Sequence, residues 1–139
     1  MEAILSAEEM KQCDENTSER FGLQPLVLME RAALGVLDAL VEEQLSLSYV
    51  LVVCGSGNNG GDGFAIARLL MEKRIPVEVV FAGNEASCTP ETRIQWEIAS
   101  RYGVVINRTI EEKAYTTVID ALFGIGLNRE LSGHYQEVI

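Results

Sequence analysis

The run Val50-Leu51-Val52-Val53-Cys54 halts at Gly55 and opens into Ser56-Gly57-Asn58-Asn59-Gly60-Gly61-Asp62-Gly63. A short apolar, β-branched stretch bounded by glycine reads as a buried strand. An amphipathic segment begins at Phe64 and reads as a helix, so the stretch between them is a tight polar loop. Glycines let such a loop bend where side chains would clash, and bring its N–H groups close to a ligand. The helix start adds unpaired donors and about half a unit of positive charge, which makes the loop a natural phosphate cradle.

Gly55, Gly57 and Gly60 satisfy the dinucleotide pattern G-x-G-x-x-G. The acidic residue expected about 20 positions on is poorly placed. Glu78 falls inside the next strand and Glu85 comes late. Asn58, Asn59 and Asp62 add amide and carboxylate oxygens that suit a ribose, a cation or a hydrated substrate. A purely structural glycine turn is the competing reading.

Around this centre the chain alternates strands and helices. Ser6-Ala7-Glu8-Glu9 forms a capping box for a first helix carrying Met10, Cys13 and Thr17. Pro25 opens a second helix that runs to about Leu45 with apolar residues on nearly every face, for the core or for a partner subunit. Strand one spans Tyr49 to Cys54 and strand two Val77 to Phe81. Thr89-Pro90-Glu91 starts a helix with Ile94, Ile98 and Tyr102 on one side and Trp96 at its edge, ended by Gly103. Val104 to Ile106 and Thr117 to Ile119 are strands three and four. The alternation implies an α/β fold with a parallel sheet. In the order three-two-one-four, strands one and four meet at the switch point where ligands bind. The loops Asn58 to Gly63 and Asp120 to Glu130 would then converge.

Three segments carry a resemblance: Gly55 to Gly63 with Ala67-Arg68-Leu69 after it, Asp120-Ala121-Leu122-Phe123-Gly124-Ile125-Gly126-Leu127-Asn128-Arg129, and Leu28-Met29-Glu30-Arg31-Ala32-Ala33. They resemble the YjeF N-terminal family, the NAD(P)H-hydrate epimerases, over essentially the whole chain. The resemblance implies a Rossmann-like three-layer α/β/α sandwich with a mainly parallel sheet. It implies residues 1–139 as the N-terminal part of one such domain, with a helical segment over 1–47 and the Rossmann-like part over 48–139. It also implies more sheet beyond Ile139; a four-stranded sheet ending there would leave strand four as an open edge.

The family's substrates are NADH and NADPH hydrated at ring carbon six (NADHX and NADPHX), and its reaction interconverts their R and S epimers. An NAD(P)HX dehydratase, fused or separate, uses one epimer. The resemblance further implies one potassium ion per subunit, held by the equivalents of Asn59 and Asp120, no other organic cofactor, and a homodimer. Inverting a hemiaminal carbon needs a proton donor and acceptor at its oxygen, which one positioned carboxyl supplies. Asp120, at a strand's carboxyl end, is the candidate catalytic residue; as an ion ligand it stays ionised and serves as acceptor. Asp62 is the alternative acid, or a complement to the helix dipole. Substrate contacts are expected from Asn58, Asn59, Gly60, Gly61 and Asp62. A second set is expected from Gly124, Ile125, Gly126, Leu127, Asn128, Arg129 and Glu130. Arg129 suits a phosphate, or an ion pair with Glu130 or Glu137. His134 reads as surface. A non-catalytic nucleotide-binding or interaction scaffold of the same fold is the rival function.

Charge narrows the partners. With 21 acidic against 11 basic side chains and a net charge of −10, the surface repels a nucleic-acid backbone. Cys13, Cys54 and Cys88 are widely spaced, so neither a disulfide framework nor a structural zinc is indicated. No leader pattern or membrane-length apolar run is visible, and the expected compartment is cytoplasmic.

Overall fold

The computed structural model describes residues 2–5, 24–122 and 125–128. Its elements in chain order are β1 (Glu2–Leu5), α1 (Pro25–Glu42), β2 (Val50–Cys54), α2 (Asn58–Glu72), β3 (Val77–Phe81), α3 (Pro90–Arg101), β4 (Val105–Asn107), β5 (Thr117–Ala121) and β6 (Ile125–Asn128). They build one six-stranded sheet in the order β1-β6-β5-β2-β3-β4. The four strands β4, β3, β2 and β5 are parallel, in the expected order. β6 then pairs antiparallel with β5, and β1 antiparallel with β6.

Two expectations are corrected here. Strand four is not an open edge, because β6 and β1 lie beyond it. The segment from Gly124 is not all loop: Ile125–Asn128 is a strand. Its glycine content hid the pairing, since Gly126 contributes no side chain to a period-two pattern. The capping-box helix from Ser6, with Cys13, lies outside the described residues.

β2 sits mid-sheet with all five residues buried, as a continuous apolar run in a parallel sheet should. Alternation sends Val50, Val52 and Cys54 to one face, against α1, α2 and α3. Leu51 and Val53 go to the other, with Val80, Val118 and Tyr115. α2 lies at the centre of the helical layer and is buried almost continuously from Gly60 to Leu70. Phe64 of α2, Phe81 of β3 and Trp96 of α3 lock helix to sheet, with ring centroids 4.6–6.4 Å apart.

That cluster corrects the stripe assigned to α3. Thr92, Gln95 and Ala99 are its buried face, while Ile94 and Tyr102 are 40% and 50% exposed. The β-branched and aromatic residues outvoted the small and polar ones in the sequence pattern, but tight packing against α2 selects the small ones. α1 buries Leu28, Met29, Ala33, Val36, Leu37 and Leu40 and exposes Val27, Leu34 and Val41 on the opposite side.

Glu78, in the middle of β3, is the hub of a buried polar network. It accepts hydrogen bonds from Tyr49 Oη, from Lys113 Nζ at 2.8 and 3.1 Å, from Tyr115 Oη at 3.4 Å and from Asn107 Nδ2 at 3.5 Å. The hydrogen bond to Glu78 is the main influence holding the Lys113 ammonium above the usual lysine value of 10.5. A raised folded-state value gives stability that is complete below the unfolded lysine range and is lost as pH rises through the folded one. The stability advantage of wild type over Lys113→Met, read from urea midpoints, should therefore be constant to about pH 10 and shrink above it. An advantage that grows with alkaline pH would contradict the linkage.

Candidate functional site

The site lies where β2 and β5 end side by side. Gly55 N–H donates to Ala121 O at 3.4 Å, extending the parallel pairing by one residue. A Cβ on Gly55 would stand 3.3 Å from Leu122 O. The two sequence motifs are thus in contact at the carboxyl edge of the sheet, the switch point of this topology.

Most of the glycines stand where side chains would clash, and the loop is shorter than expected. The loop is only Gly55 to Gly57, and Asn58 to Gly63 already belong to α2. None of these glycines has positive φ. What Gly60, Gly61 and Gly63 lack is room. A Cβ on Gly60 would lie 1.8 Å from Gly55 O, and one on Gly63 would lie 2.7 Å from Cys54 Sγ and 2.8 Å from Ala121 Cβ. On Gly61 it would press on Thr92 Oγ1 at 2.8 Å and Met29 Cε at 2.9 Å. The helix start is driven down onto the strand end and wedged between α1 and α3. Thr92 Oγ1 donates to Gly57 O at 2.8 Å and Thr89 N–H donates to Ser56 O at 3.1 Å, so these loop carbonyls are tied to the start of α3. The N-cap, Gly57, has no side chain to offer the first turn of α2, whose N–H groups are the donors a ligand would use.

Asn58 is exposed and Asn59 half-buried, as the first two residues of α2; Gly60 and Gly61 are buried. Asp62 is only 3% exposed and sits in the second turn, so the reading of it as a helix-start carboxylate is corrected. Asp120 is half-buried, one residue before the end of β5, with Val53 and Gly126 as its register neighbours. One of its oxygens accepts from Leu122 N–H at 3.0 Å, so the carboxylate does shape the following turn. By alternation Asp120 shares the face of Val118, opposite α2, at the same edge of the sheet as the glycine loop.

Cys54 reports that the two acids share this end. Its thiol is fully buried, and burial, followed by the negative charges of Asp62 and Asp120, pushes it well above the usual thiol range. Cys54 is therefore a neutral packing group. Of the second substrate segment, Ile125, Gly126, Leu127 and Asn128 form β6, with Gly126 opposite Asp120. Gly124, Arg129, Glu130 and His134 lie outside the described residues.

Two arginines gather on the β3 side of the loop. Arg108 pairs with the Glu85 carboxylate and lies over the rings of Phe81 and Trp96, 5.3 and 5.4 Å from their centroids. Arg93 donates to the main-chain oxygen of Glu85. Arg108 lies 23 residues from Glu85, and no spacing rule would have joined them.

Among the described residues no group of three or more His, Cys, Asp and Glu gathers as a metal centre. The oxygens of Asn59 and Asp120 are a donor type suited to a hard cation, not to a thiolate- or imidazole-seeking metal. Among the described residues no helix is long and apolar enough to cross a membrane.

Comparison with known proteins agrees with the sequence resemblance. The family described as YjeF-related protein N-terminus matches residues 25–139. The NAD(P)H-hydrate epimerase of Weissella koreensis is 45% identical over 140 residues, covering 100% of this chain and 63% of that protein. The NAD(P)H-hydrate epimerase of Oenococcus oeni is 41% identical over 137 residues, covering 97% and 65%. The chain thus spans just under two thirds of the length of these relatives. The crystal structure of yeast ynu0 superposes with a TM-score of 0.70 at 20% identity, over 98% of this chain and 63% of that one, a likeness of fold. With the profile spanning most of its length and its fold shared, the chain belongs to the YjeF-related protein N-terminus family.

Proposed function

We propose that this chain carries the catalytic part of an NAD(P)H-hydrate epimerase, interconverting the R and S forms of NADHX and NADPHX. The observation that carries this reading is the contact of the two strand ends, Gly55 against Ala121 and Leu122. That contact supports reading the start of α2 and the Asp120 carboxylate as parts of one site. The N–H groups at the start of α2, with Asn58 and Asn59, hold the substrate's diphosphate and ribose. Asp120 faces the hydroxyl on ring carbon six. In the ring-opening route the Asp120 carboxylate takes the hydroxyl proton as the bond from ring carbon six to the ring nitrogen breaks onto nitrogen, and returns it when the ring recloses on the other face of that carbon. Asp62 is buried nearby.

Asn59 and Asp120 would hold the potassium ion, whose fixed positive charge keeps the carboxylate ionised. The exposed apolar residues of α1, Val27, Leu34 and Val41, recur every seven positions and offer a seam for a homodimer. An NAD(P)HX dehydratase, fused or separate, takes the product epimer in the cytoplasm. The test mixes the protein with unequal epimers of hydrated NADH and follows their ratio by chromatography, in potassium and in sodium. Relaxation faster than in buffer, and faster in potassium, is expected; a ratio that relaxes at the buffer rate in both salts would overturn the proposal.

A further inference from the structure

The glycine loop has two flanks of opposite chemistry. On the β5 side stands the acid, Asp120. On the β3 side the segment Ala82 to Thr89 is fastened to the loop: Ala82 N–H donates to Cys54 O at 2.9 Å, Thr89 N–H to Ser56 O at 3.1 Å, and a Cβ on Gly83 would lie 2.8 Å from Ser56 N. That segment carries Glu85, and Glu85 carries Arg108. The two flanks are two strand spacings apart, about 10 Å, a distance that the ribose-diphosphate-ribose bridge of a dinucleotide spans. A dinucleotide lying across a switch point sets its far ribose at the end of the neighbouring strand, where an acid reads a free 2′-hydroxyl and an arginine reads a 2′-phosphate.

Glu78, the second residue of β3 and paired with Leu51, stands away from that end, which leaves Glu85 as the acid there, and both are engaged. Glu78 is locked in mid-strand by Tyr49, Lys113, Tyr115 and Asn107, and the Glu85 carboxylate is held by Arg108. Arg108 in turn has its position set by the faces of Phe81 and Trp96, while its side chain stays 54% exposed. Stacked in this way, a guanidinium keeps its N–H edge for an anion. Arg93, in the first turn of α3, donates to the main-chain oxygen of Glu85, so Glu85, Arg93 and Arg108 together carry one more positive than negative charge in a chain of net charge −10.

Resting on the reading that the site takes a nicotinamide dinucleotide, we infer that Arg108 recognises the 2′-phosphate of the adenosine ribose and biases this chain toward NADPHX over NADHX. Glu85 is its resting partner. An exposed ion pair is weak, and a doubly charged phosphate, able to accept two parallel N–H bonds, displaces the carboxylate.

The experiment titrates the chain with adenosine 2′,5′-bisphosphate and, separately, with 5′-AMP, using calorimetry. The bisphosphate should bind about tenfold more tightly, in line with a charge-assisted bidentate contact. Arg108→Met, which keeps an apolar stem over Trp96, should bring the two affinities together without changing that for 5′-AMP, and Glu85→Gln should widen the gap. Equal affinities in wild type, no binding of either probe, or a preference that survives in Arg108→Met would overturn the inference. Neither probe has a ring to epimerise, so loss of the epimerase reading and loss of this one are separately visible.

Discussion

Gly60→Ala should lower the unfolding free energy by about 3–4 kcal/mol, whereas Gly57→Ala, three residues away, should cost under about 1 kcal/mol. The difference lies wholly in what a methyl group would meet. At Gly60 it would overlap Gly55 O at 1.8 Å, inside a backbone-to-backbone contact that no rotamer can relieve; at Gly57 nothing stands within 4 Å. Relief at Gly60 requires α2 to lift from the end of β2, which also loosens Gly63 from Cys54 and Ala121. Domains of this size are stable by about 5–15 kcal/mol, so the loss is a large share of the total. Urea unfolding of both variants measures it. Equal, small effects would mean that the helix start is not seated on the strand.

Asp120→Asn should reduce epimerisation by about 10²–10⁴-fold while leaving the urea midpoint nearly unchanged. The amide retains an oxygen for Leu122 N–H, so the turn after β5 is kept. It cannot take a proton and it removes the charge a cation would pair with. Asp120→Ala should lose activity to the same degree and, with the turn's hydrogen bond gone, about 1 kcal/mol of stability as well. Comparing the two separates the proposed chemistry from the hydrogen bond that shapes the turn. An Asp120→Asn protein that relaxes the epimers at the wild-type rate would remove Asp120 from the mechanism.

What the sequence made legible follows from which residues have only one physical use. The continuous run Val50 to Cys54 could only be a buried central strand, and its neighbours followed from the alternation of strands and helices. Thr89 with Pro90 marked the start of α3 correctly, and Thr89 Oγ1 does accept from Thr92 N–H at 3.2 Å. Gly103, with φ +87°, ends that helix as a glycine should. The other two helix ends use the same left-handed geometry without glycine, at Gln44 (φ 55°) and Arg74 (φ 62°), with Leu45 N–H bonded to Leu40 O and Ile75 N–H to Leu70 O. Composition could not mark them.

The site was legible in part for the same reason. Asp120 and the glycine motif were placed by topology, since the carboxyl ends of neighbouring strands must be adjacent. Which glycines seat the helix start is not legible, because a sequence shows freedom of φ and close approach with the same letter. β6 was missed because a glycine-bearing strand between two others leaves no alternation to read. Arg108 was missed because its role depends on Phe81, Trp96 and Glu85 arriving from three separate segments.

The account depends on the ends of β2 and β5 acting as one binding surface. Titrating the isotope-labelled chain with ADP-ribose and following backbone amide resonances addresses this directly, without relying on turnover. The amides of Gly55 to Gly61 and those of Asp120 to Leu122 should shift together and yield a single dissociation constant. Shifts confined to one of the two segments, or saturating at different concentrations, would contradict the account.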